Sequence, residues 1–76
     1  GNEHAMSLLF DIHMLHNAGA TNFGVQLLRL IAKADARNRK LLKRSFPNAM
    51  AVYEAWYRSE GKSAPDLPYD GAGHDH

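Results

Sequence analysis

The most prominent chemical pattern is a row of cations. Lys33, Arg37, Lys40 and Arg44 recur at spacings of four, three and four, with Arg39 and Lys43 beside them. On one helix this spacing lines the four heads along one side. There they could follow a phosphate backbone, attract an acidic protein surface or hold a phosphorylated small molecule. The plainer reading, a solvated helix face, carries more weight, because charge on an outward face is the ordinary state of a soluble helix. The row has no interleaved aromatic residues on which bases could stack.

Other chemistry-bearing residues are scattered. His13 and His16 lie three apart with Asp11 nearby, but no third ligand stands at a defined spacing, so two polar residues at the edge of an apolar face are the better reading than a metal site. His74 and His76, alternating with Asp75, could chelate adventitious metal and otherwise do nothing. The serines Ser7, Ser45, Ser59 and Ser63 fall at expected caps or helix ends, with no adjacent base or nucleophile turn. Gly19 to Gly24 is too short for a phosphate loop and follows a helix pattern, not a strand. Glu54 and Glu60 lie too far round one helix to act as a carboxylate pair. Trp56, Tyr53 and Tyr57 could line a ligand pocket, although a bundle this small needs its largest side chains for closure. We therefore expect no catalytic residues, no metal and no cofactor, and a protein that is not an enzyme.

These residues sit in a chain of 76 with a formal charge of +1. The balance is uneven, since no Lys or Arg precedes Arg29 and six of the nine lie between Lys33 and Arg44. A domain of this size buries only roughly 60% of the surface its unfolded chain exposes. Without cysteines, helix packing and oligomerisation are the devices left to reinforce the core. The apolar runs are far short of the ~20 residues needed to span a bilayer, and no basic region precedes an apolar one at the N-terminus. A soluble, cytoplasmic protein with no membrane partner is expected. Gly1 to Ala5 read as an expression remnant or flexible N-terminus, with Met6 as the native start. Residues 6–62 read as one helical domain. After Lys62 the composition turns to Pro, Gly, Asp and His, so residues 63–76 read as an extended or disordered tail.

Helix punctuation places the elements. Ser7 can cap a first helix running to about His16, with Leu8, Ile12 and Leu15 inward and Phe10 and Met14 outward as a partner or self-association face. Gly19 can end it in the left-handed conformation, and Thr21 or Asn22 can cap the next. From Phe23 to Ala34 the apolar arc is so wide that only Gln26, Arg29 and Lys33 are left for water. Phe23, Leu27, Leu30, Ile31 and Ala34 form one side, with Gly24 and Leu28 widening it and Val25 and Ala32 nearly behind. A continuous helix through Asp35 is geometrically possible, but Asp35 is a good N-cap and a break or kink at Ala34 to Ala36 is expected. Phe46-Pro47 marks a firmer boundary. The last helix, Pro47 to about Glu60, carries Ala49, Val52, Tyr53 and Trp56 on one arc and is stopped by Gly61.

The run Leu28-Arg29-Leu30-Ile31-Ala32-Lys33-Ala34-Asp35, then Asn38-Arg39, Leu42, Phe46-Pro47, Val52, Tyr53 and Trp56, resembles a pattern of small uncharacterised helical proteins from bacteriophages and actinobacterial genomes. The resemblance covers roughly half the chain. In that pattern a proline often follows the aspartate, where this chain has Ala36. It implies a small helical protein of phage-like origin and transfers no functional residue.

The expected architecture is all-α, a small oligomeric bundle of three to four short helices. The expected function is a non-enzymatic interaction module that binds another protein and itself through Phe10 and Met14. The alternative is a nucleic-acid or nucleotide binder using Lys33, Arg37, Lys40 and Arg44 on phosphate or on an acidic partner.

Overall fold

A computed structural model describes residues 7–70, which form four helices and, among the described residues, no strand. They are α1 (Leu8–Ile12), α2 (Phe23–Lys33), α3 (Ala36–Ser45) and α4 (Pro47–Arg58). The Cα radius of gyration is 12.0 Å, against about 11 Å expected for a compact chain of this length. The chain is therefore an all-α globule. α1, α2 and α4 pack on one another, and α3 packs chiefly on α4.

Ser7 caps α1, its Oγ accepting from the Phe10 N–H at 3.1 Å. The helix is shorter than expected, ending at Ile12 and not near His16. Beyond it the backbone continues in successive i to i−3 turns, Met14 N–H to Asp11 O, Asn17 N–H to Met14 O and Ala20 N–H to Asn17 O. Arg29 holds this loop from α2. Its guanidinium donates to the carbonyls of Leu15, Asn17 and Ala20, with contacts of 2.8 Å to Asn17 and 2.9 Å to Ala20. The arginine expected in water is thus half-buried and satisfies carbonyls that no helix bonds. Gly19 does not adopt positive φ; the Asn17 side chain accepts its N–H at 2.9 Å and closes the turn instead.

α2 buries Gly24, Val25, Leu27, Leu28 and Ile31. This corrects the expected orientation, because Val25 is fully buried whereas Phe23 is 68% and Leu30 48% exposed. α1 and α4 take the Val25 and Leu28 side, and the Phe23–Leu30 ridge is left toward α3, which leans on α4 instead. The helix breaks where expected. Ala34 is extended, and the Asp35 carboxylate accepts the Asn38 N–H at 2.8 Å to start α3. Arg39 then reaches back to the last-turn carbonyls of Ile31 and Ala32 and lies over the Tyr53 ring at 5.6 Å.

α4 starts at Pro47 behind Phe46, whose side chain cannot cap. The missing acceptor comes from the far end of the chain. Asp70 accepts from the N–H groups of Asn48 and Ala49 at 2.8 and 3.0 Å, and Asn48 Nδ2 donates to Pro68 O. At the other end, Glu60 N–H bonds Tyr57 O and Gly61 N–H bonds Trp56 O, with both residues at positive φ (59° and 81°). This is a Schellman stop in which Glu60 takes the left-handed position expected of Gly61.

The core joins Leu8, Ile12, Leu28, Ile31, Met50 and Val52. Ala64, Leu67 and Tyr69 pack against it, so residues 63–70 are extended and irregular but lie on the bundle as a strap, not as a free tail. Gly1 to Ala5, Met6 and the His74–Asp75–His76 group lie outside the described residues.

Candidate binding face

The cations expected to form one stripe are divided by the break at Ala34 and Asp35. Arg37, Lys40 and Arg44 stay on one side of α3, within about 60° on the helix, and all three are exposed. Lys33 remains exposed at the end of α2 and lines the groove between α2 and α3. Of the two flanking cations, Lys43 is exposed, while Arg39 is committed to the end of α2 and to Tyr53. No residue of α3 is buried, and none is acidic.

The groove beside this cationic edge has a volume of about 550 Å³. Leu30 comes from α2, Leu41 and Leu42 from α3, and Phe46 from the joint before α4. Phe23 extends the apolar surface, its ring 6.1 Å from that of Phe46. Leu41 is 53% exposed, so Phe23, Leu30 and Leu41 present three large, uncovered apolar side chains on one contiguous face. Asn38 and Ser45 add neutral polar groups to its wall. The sequence hides this face, because the apolar arc of α2 places Phe23 and Leu30 on the same side as the buried Leu27 and Ile31. The available signal is the register of α3, where Asn38, Leu41, Leu42 and Ser45 share one side next to the cations and would extend the inward side of a continuous helix.

Phe10 is 44% exposed and Met14 half-buried. The aromatic residues split between roles. Tyr53 and Trp56 are half-buried against the core, whereas Tyr57 is exposed and stacks on Tyr53 at 6.2 Å. With Leu15, His16 and Ala32 they line a second, open cleft of about 770 Å³.

Asp11 and the two histidines do not converge. Asp11 is fully buried, accepting from Asn22 Nδ2 at 3.0 Å and from the Tyr69 hydroxyl. His13 is exposed and meets Trp56 edge-on at 4.8 Å, and His16 is exposed on the following turn. Among the described residues no group of three or more His, Cys, Asp or Glu is placed to hold a metal ion. Tyr69 resists ionisation. Burial pushes its hydroxyl above the usual tyrosine range, the bond to Asp11 and that carboxylate's charge push it further, and Asn22 opposes them. Gly24 lies under this pair, where an added Cβ would overlap Asp11 Oδ2 and come within 2.8 Å of the Tyr69 ring. The arrangement is a polar lock between α1, α2 and the strap. No helix among the described residues is long and apolar enough to cross a membrane.

No family model, curated protein or solved structure matches this chain.

Proposed function

We propose that this protein is a non-enzymatic helical module that acts by binding another protein, and that the groove between α2 and α3 is its binding face. The observation that carries the reading is the uncovered apolar surface of Phe23, Leu30 and Leu41 bordered by Lys33, Arg37 and Arg44. An apolar centre with a charged rim is the anatomy of a protein interface, and covering each of these side chains would contribute about 1 kcal/mol. A photo-crosslinker placed at Leu41, compared with one at the exposed Ala51 of α4, tests it in extracts of the native host. A protein adduct specific to position 41 and lost in Leu30→Ser is expected. Identical adducts from both positions would contradict it.

Self-association through Phe10 and Met14 is a narrower form of the same reading, supported by the exposure of Phe10. Sedimentation equilibrium at two concentrations would then show a mass that falls on Phe10→Ala with Met14→Ala. Nucleic-acid binding is the second reading, supported by a ten-residue α3 that carries five cations, no acid and no buried residue. It requires duplex affinity to fall steeply with added salt and to vanish in Lys40→Glu with Arg44→Glu.

A further inference from the structure

Resting on the reading of the α2–α3 groove as a binding face, we propose that its occupant is an acidic amphipathic helix of a different protein. Three observations narrow the occupant. The walls of the groove are two helices, and no sheet edge exists among the described residues, so a strand would find no backbone template to extend. A helix would instead set apolar side chains spaced three and four apart among Leu30, Leu41, Leu42 and Phe46.

The charge of the rim sets the sign of the partner. Lys33 stands in the groove wall, and Arg37 and Arg44 flank Leu41 on the outer side of α3. Asp35 is the acid nearest to these cations in sequence, and its carboxylate accepts the Asn38 N–H. Carboxylates bordering the incoming apolar stripe would meet these heads, and the two arginines suit paired acceptors better than point charges would.

The same charges argue against a second copy of this chain. In an isologous pair each partner presents the same patch, which would put two sets of Lys33, Arg37 and Arg44 in one interface with no carboxylate among the groove-lining residues to offset them. A phosphate backbone satisfies the cations but leaves Phe23, Leu30 and Leu41 with nothing apolar to cover them.

The test uses the full chain and a fluorescein-labelled helical peptide of about 18 residues, with leucines three and four apart and glutamates on both flanks of the stripe. A second peptide replaces every glutamate by lysine, and a mixed-sequence DNA duplex serves as competitor. The acidic peptide is expected to bind at about micromolar Kd and to lose at least about tenfold in Leu41→Ser or Leu30→Ser. Its lysine counterpart should bind at least about tenfold more weakly, and Arg37→Glu with Arg44→Glu should invert the preference. All four substituted side chains are exposed, and circular-dichroism melts verify that each variant folds.

Equal binding of both peptides, with the leucine variants still weakened, overturns the acidic assignment and leaves the groove as a binding face. Binding unaffected by the leucine variants and displaced by duplex DNA overturns the assignment and the groove reading, in favour of polyanion binding. Absence of binding by the acidic peptide at millimolar concentration overturns the assignment, and the crosslink at Leu41 then decides the groove reading alone.

Discussion

Among Gly19, Gly24 and Gly61, Gly24 has the least room for a side chain. The Asp11 carboxylate and the Tyr69 ring close over its Cα, so that a single methyl group has no space. Gly24→Ala must displace a buried, doubly bonded carboxylate as well as a ring, and overpacking of this kind costs about 3 kcal/mol at the upper end of its usual range. Urea unfolding should show that loss, whereas a near-neutral Gly24→Ala would mean that Asp11 lies elsewhere. Tyr69 adds a pH dependence. The unfolded chain ionises a tyrosine near pH 10, while the folded chain holds the Tyr69 proton to higher pH. The stability this group contributes is therefore complete below about pH 10 and declines as pH rises past it. Melting curves of the native chain and of Tyr69→Phe should converge above that pH, and parallel curves would show that the hydroxyl is free. None of this lock was legible in the sequence. Asp11 and Tyr69 are 58 residues apart, and Asp11 reads locally as one more polar residue beside two histidines.

At the scale of the elements, the boundaries that depend on adjacent residues were legible and those that depend on distant ones were not. Ser7 and Asp35 each cap a helix with their own side chain, and Pro47 begins one, all as their local chemistry requires. The extent of α1 was not legible, because the turns that replace its expected last residues are held by the Arg29 guanidinium of α2 on the carbonyls of Leu15, Asn17 and Ala20. The inward side of α2 was undetermined for a different reason. A helix apolar on nearly all sides has a period but no clear direction, and only the placement of α1 and α4 decides that Val25 goes in and Phe23 stays out. For α4 the N-terminal acceptor is supplied by Asp70 across 22 residues. Asp70→Ala should cost about 1 kcal/mol, the usual worth of a cap, and should free the strap, read as faster amide exchange at Asn48 and Ala49. Unchanged exchange there would remove Asp70 from this role. At the opposite end Glu60 occupies left-handed space that a side chain disfavours. Glu60→Gly should raise stability by about 0.5–1 kcal/mol in the same denaturant series, and a loss would show that the Glu60 side chain is needed.

The whole molecule is a three-helix core with one helix held off to the side. α1, α2 and α4 enclose the buried leucines, isoleucines, Met50 and Val52, and the strap seals one end with Tyr69 and Asp70. No residue of α3 is fully buried, although Leu42 packs against the core, and the helix spreads Leu41 and its cations along an open groove. The all-α class was legible from helix punctuation alone, as was the concentration of positive charge. The binding face was only half legible, because its cations form a pattern along the chain whereas its apolar floor requires knowing which side of α2 the core leaves uncovered.

The most direct test of that face is a two-dimensional ¹H–¹⁵N NMR titration of the full chain with the acidic helical peptide. The expected result is a cluster of shifted amides at Phe23, Leu30, Lys33, Leu41 and Phe46, with Phe10 and Met14 unmoved. Shifts centred on α1, or spread evenly over Arg37, Lys40 and Arg44 without Leu30 and Phe46, would contradict the groove as the site of binding.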